Sequence, residues 1–286
     1  MKSLSVKSGF GLGAVIAVAA AIIALPIRTV QFFTIIESDT GFYSEVNSGV
    51  YLLYAVIAIA VAACLVLGIA KRKKLDYSLE AIKRPGFGIL SFTAAIGALS
   101  DSAKCIMEFM NYQPDTGTSG AAGILLGAEA IFALFTAIFF VAIGASALSG
   151  KTSGSEYKII ALAPVLWSVF RVIYRFTRTI SYVRVSELMF EMLMLVFLIL
   201  FFMAFAQSNA NVDSKGNNWK VAAYGMPAVL FALICFVPRF IVTVSGNAHL
   251  LVDQSPIEYC DIANAAFILC TVLTRVTDKI SSEEEA

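Results

Sequence analysis

The chain has little charge. Only 14% of its 286 residues are Asp, Glu, Lys or Arg, against roughly 25% in a soluble globular domain. Apolar residues make up 59%, and the mean hydropathy is +0.82. That leaves too little polar surface to cover a globule in water. There is one histidine, His249, and the five cysteines are scattered, so the sequence shows no metal-ligand spacing and calls for no cofactor. The patterns HExxH, GxSxG and the P-loop are missing, and no histidine falls in an apolar run; a catalytic role is not expected. A net charge of +1 points to no nucleic-acid partner. The absence of an Asn-x-Ser/Thr sequon fits a bacterial source.

What the chain has in abundance is long apolar runs. Several exceed twenty residues, enough to cross a ~30 Å hydrocarbon core as helix. Alternating ten-residue segments of a membrane β-barrel are absent. The expected fold is an all-α polytopic bundle of eight transmembrane helices, or seven, at roughly 9–36, 50–70, 87–110, 121–148, 159–179, 186–207, 221–246 and 258–276. Its partner is the lipid bilayer. The first run is too long for a signal-peptide core and reads as a retained helix. The last is the weakest, since it holds Asp261 and Asn264. Residues 1–280 read as one transmembrane domain and 281–286 as a disordered acidic tail.

Basic residues set the expected orientation. With a cytoplasmic N-terminus, 14 of the 21 Lys and Arg fall in inner segments and two, Arg178 and Arg184, in outer loops. The expectation is a bacterial plasma-membrane protein with a cytoplasmic C-terminus if there are eight spans. The loop KRKKLDYSLEAIKRPG, residues 71–86, reads mainly as a topology-setting basic loop. Leu75, Leu79 and Ile82 at helical spacing also allow an interfacial helix on anionic lipid.

Two runs align without gaps at an offset of 62: Glu129–Ser146 and Glu191–Ser208 match at the Glu, at three Phe, at one Ala and at the terminal Ser. Each next run carries a proline (Pro164, Pro227) and an Arg-Phe pair (Arg175-Phe176, Arg239-Phe240). Parallel helix-hairpin repeats are expected, related about the membrane normal.

The charges inside the spans are Arg28, Asp101, Lys104, Glu108, Glu129, Arg171, Arg175, Glu187, Glu191, Arg239 and Asp261. All lie in the outer half or near the midplane under this orientation; Asp101, Glu129 and Arg171 would sit ~12–14 Å below the outer hydrocarbon edge. A lipid-facing charge at the bilayer centre costs on the order of 2.5–3.5 kcal/mol, so these faces should turn inward. Arg28, Glu108, Glu187, Arg239 and Asp261 are near enough to the interface to snorkel. Two readings remain for the deeper set. In the first, Asp101, Lys104, Glu129, Arg171, Arg175, Glu191 and Arg239 line an outward-facing site for a small charged or zwitterionic solute, as in a transporter or receptor; Arg171 and Arg175 would clamp an anionic group. In the second, they close into an ion-pair network in a structural or accessory subunit. Pro26, Pro164, Pro227 and Pro238 lie within spans and are expected to kink them. Span 50–70 carries no charge and should be peripheral. A Cys105–Cys260 disulfide is not favoured.

Overall fold

The computed structural model describes residues 4–38, 41–70, 85–112, 121–150, 159–177, 185–209, 218–251 and 258–284. Eight α-helices follow one another: α1 (Leu4–Thr34), α2 (Ser48–Ala70), α3 (Pro85–Met110), α4 (Ala121–Ser149), α5 (Ala163–Thr177), α6 (Val185–Asn209), α7 (Asn218–Val244) and α8 (Tyr259–Glu284). Seven of the helical segments are long and apolar enough to cross a membrane, and the apolar part of α8, Tyr259–Leu273, is shorter. Among the described residues, the one pairing of β type is an isolated bridge between Ile36 and Tyr43. The chain is an all-α integral membrane bundle.

The exposed surface supports that environment. Ile22, Ile59, Ile96 and Ile124 are each two-thirds or more exposed. Apolar side chains at such density on a surface face lipid rather than water.

Each helix spends its small residues on its neighbours, as lipid-embedded helices do when packing rather than water exclusion holds them together. In α1 the buried stripe is Ala14, Ala17, Ala20, Ala21 and Ala24, and Cys64 of α2 donates to the Gly13 carbonyl at 3.8 Å. Helices α3, α4, α5, α6, α7 and α8 form a ring in which each packs on the next and α8 closes on α3; α1 packs on α7, and α2 packs on α1 and α7 at the periphery. α7 is the most buried span. It carries Pro227 and Pro238 inside the helix, and α1 carries Pro26. Pro164 differs from expectation. A 3-10 turn, Ile160–Leu162, precedes α5, so Pro164 occupies the first turn of a helix, where its missing N–H costs nothing.

The half of the ring away from the charges is filled by aromatic side chains. Phe139, Phe140, Phe201 and Phe202 are at most 1% exposed. The matched residues Phe140 and Phe202 stand 5.9 Å apart, and Phe267 of α8 meets Phe140 at 4.9 Å.

Candidate functional site

The charges gather at one end of the ring, where α3, α5 and α7 finish and α4, α6 and α8 begin. Arg171 of α5 is the centre. It is 1% exposed, and each guanidinium nitrogen faces a carboxylate: Nη1 reaches Asp261 Oδ1 at 2.8 Å, Nη2 pairs with Glu258 Oε2, and Nε lies 3.9 Å from Glu129 Oε1. Its guanidinium also lies over the Trp167 ring, 5.2 Å from the centroid. One turn on, Arg175 pairs with the other oxygen of Glu258 and with Glu191 at 3.4 Å. Lys104 of α3 reaches Glu258 at 3.1 Å. Arg239 of α7 binds Glu191 at 2.7 Å and Glu187 at 3.3 Å. Asp101 enters through a neutral donor: the Trp167 indole N–H donates to its Oδ2 at 2.7 Å.

All seven residues singled out in the sequence therefore meet in one network that spans the six ring helices. Each of the two matched glutamates meets an arginine of the following helix, Glu129 with Arg171 and Glu191 with Arg239, although the sequence match to Arg239 is Arg175.

The sign of each charge follows the helix it stands on. Lys104, Arg171, Arg175 and Arg239 lie on helices whose C-terminal halves face this end, and Glu129, Glu187, Glu191 and Asp261 on helices that start here. Helix macrodipoles favour that distribution, since N-termini attract anions and C-termini attract cations. Asp101 and Glu108, both on α3, break the rule.

Two expectations need correction. Arg28, Glu187, Arg239 and Asp261 do not snorkel: they are 2%, 4%, 7% and 7% exposed. The reason is that partners inside the bundle claim them first. Arg28 donates to Tyr43 at 2.8 Å and to Gln31 at 3.3 Å, and lies over the Phe32 and Phe190 rings. The Ile36–Tyr43 bridge folds the chain back at the end of α1 and delivers that Tyr43 hydroxyl. Glu108 has the Tyr174 hydroxyl at 3.4 Å. The second correction is Glu258, which the sequence reading left out. It stands just before α8 and makes ion pairs with three cations, Lys104, Arg171 and Arg175. The available signal was its i, i+3 spacing to Asp261, which puts both on the α3–α5 side of one helix start.

Glu258 tips the charge balance. Among the described residues the network holds four cations and six carboxylates: Lys104, Arg171, Arg175 and Arg239 against Asp101, Glu129, Glu187, Glu191, Glu258 and Asp261. Adding Arg28 and Glu108 leaves the excess at two.

Close packing fixes the geometry. A methyl group added at Gly97 of α3 would stand 3.0 Å from the Cys260 backbone, so only glycine lets α8 start this close. The Ser102 hydroxyl donates to the Ala130 carbonyl at 2.9 Å and ties α3 to α4. A cavity of about 10 Å³, room for one water, lies between Arg28, Phe32, Glu187, Phe190, Ile234, Cys235 and Arg239. Cys105 and Cys260 are free buried thiols.

Comparison with protein families, curated proteins and solved structures finds no match. The functional reading therefore rests on this geometry.

Proposed function

We propose that the cluster acts as an ion-pair clamp holding the six ring helices together, and that the chain serves as a structural or accessory membrane protein. One observation carries this reading: every nitrogen of Arg171, at 1% exposure, faces a protein carboxylate. Each guanidinium nitrogen is thus already opposed by a protein acid rather than open to an anionic solute. With the basic-residue bias of the loops, the clamp lies toward the outside of a bacterial plasma membrane, within a single transmembrane domain.

A second reading is a solute-binding transporter or receptor. It is favoured by the partial exposure of Lys104 (32%) and Arg175 (20%), which leaves one side of the network open. The solute would then meet Lys104, Arg175 and Glu258 first.

Thermal unfolding of purified variants separates the two. Arg171→Met strands Asp261, while Glu258 keeps Lys104 and Arg175, and should cost about 3–5 kcal/mol. Adding Asp261→Asn should recover a large part of that loss. Under the clamp reading, no amino acid, organic acid or phosphate in a panel raises the melting temperature of the wild type. A solute that stabilises the wild type but not the double variant would replace the clamp with the transporter or receptor reading.

A further inference from the structure

Beyond the clamp, we infer that Asp101, Cys105 and Glu129 form a binding site for a divalent transition metal of the Zn²⁺ class, with the Cys260 thiol beside Asp101. The site is independent of whether the network binds a solute.

Geometry comes first. The Cys105 sulfur and one carboxylate oxygen each from Asp101 and Glu129 lie within 4.8 Å of one another, and all three residues are buried. Asp101 and Cys105 are one helical turn apart on α3, and Glu129 faces them from α4. Cys260 Sγ lies 3.9 Å from Asp101 Oδ1. A tetrahedral ion with bonds of ~2.0–2.3 Å sets its ligands roughly 3.5 Å apart. The donors therefore need to draw in by about 1 Å.

The second observation is an unpartnered acceptor. Glu129 is 5% exposed. Its Oε1 is the oxygen near Arg171, and its Oε2 has no hydrogen-bond partner among the described residues. A buried carboxylate oxygen without a donor is costly and calls for a counterpart. Asp101 is arranged similarly: the Trp167 N–H holds Oδ2, leaving Oδ1 on the Cys260 side. Each acid thus turns one oxygen to an outer cation or donor; the other accepts only the long Cys260 thiol contact in Asp101 and nothing among the described residues in Glu129. That is how outer hydrogen bonds orient metal-binding carboxylates.

Charge agrees. Among the described residues the excess of two carboxylates falls at this pair, since there Asp101 has no ion pair and Glu129 only the 3.9 Å contact to Arg171. One divalent cation offsets the two carboxylates, and the negative charge the thiolate adds lies beside the Arg171 guanidinium. Sulfur in the set selects a zinc-like metal over Mg²⁺ or Ca²⁺, which prefer all-oxygen cages. A thiol that binds as thiolate releases its proton to solvent.

The test uses the full chain purified in detergent, stripped with EDTA, then loaded with Zn²⁺ or Co²⁺ and desalted. The expected result is one Zn²⁺ per chain by elemental analysis and a thiolate-to-metal absorption band with Co²⁺. Cys105→Ser should abolish or strongly weaken that band. Glu129→Gln should weaken Zn²⁺ binding by at least about 10–100-fold, the loss that removing even an outer partner produces. Wild-type protein that retains no Zn²⁺ overturns the inference. So does an unchanged Co²⁺ spectrum in Cys105→Ser. An infrared band of a protonated carboxyl that vanishes in Glu129→Gln, in metal-loaded wild type, also overturns it, because a proton then supplies the missing charge. Should Glu129→Gln fail to fold, the single-atom exchange Cys105→Ser and the wild-type Co²⁺ spectrum still decide.

Discussion

Trp167 is completely buried and does two jobs with one ring. Its face lies against the Arg171 guanidinium and its N–H satisfies Asp101. Trp167→Phe keeps a face for the cation but removes the donor. The orphaned carboxylate oxygen should cost about 1–3 kcal/mol, read as a fall in the denaturation midpoint. Combining it with Asp101→Leu should return most of that loss, because removing both partners of a buried hydrogen bond is far cheaper than removing one. A double variant less stable than Trp167→Phe, both measured without metal, would refute this pairing argument. The charges at 101, 129 and 171 were legible as buried because no run of lipid-facing residues tolerates them. The Trp167–Asp101 bond was not, since nothing in local spacing joins residues 66 positions apart on different helices.

Among the helices, the α3–α8 contact is the tightest demand near the candidate site. Gly97→Ala sets a methyl 3.0 Å from Cys260 Cα and 3.1 Å from Ala263 Cβ. Neither neighbour is a flexible side-chain end, so α8 must shift. Overpacking of this kind costs about 1–3 kcal/mol, and the shift should loosen Glu258 and Asp261 from their cations. Gly11→Ala in α1 is the control, since nothing lies within 4 Å of it. It should be neutral or stabilise by up to about 1 kcal/mol through helix propensity. Equal losses in the two variants, measured by thermal unfolding, would refute the packing argument. Seven of the expected spans were readable to within a few residues, because length and apolarity decide them, whereas α8 runs on to Glu284 with a shorter apolar part. Pro164 was misjudged as a kink because a proline early in an apolar run looks the same whether it bends a helix or starts one. The uncharged α2 was readable as peripheral for the complementary reason: without polar groups to hide, it can face lipid on most sides.

For the whole molecule, sidedness rests on the loops, and residues 71–84, 113–120, 151–158, 178–184, 210–217 and 252–257 lie outside the described residues. So does the anionic-lipid contact expected at the 71–86 loop, apart from its last two residues. The basic bias puts Ser78 inside and Thr118 outside. In a background without native cysteines, Thr118→Cys should react with an impermeant thiol reagent in intact cells and Ser78→Cys should not. The reverse pattern would invert the molecule and turn the charged end toward the cytoplasm. That all the intramembrane charges share one end was legible from helix alternation alone. That they close on Glu258 was not, since a carboxylate at the edge of a weak eighth span gives no local sign of the three cations it serves.

The order in which the chain is made gives Glu258 a further meaning. A ribosome delivers α5 to the membrane well before α8. Until then, among the described residues, Arg171 has as ion partner only Glu129 at 3.9 Å, and Arg175 only Glu191. The C-terminal helix brings Glu258 and Asp261, the closest partners of Arg171, in one step. A chain cut before residue 258 should therefore carry under-neutralised guanidiniums inside the bilayer. α8 acts as a latch: only when it has docked do those two arginines stop needing water.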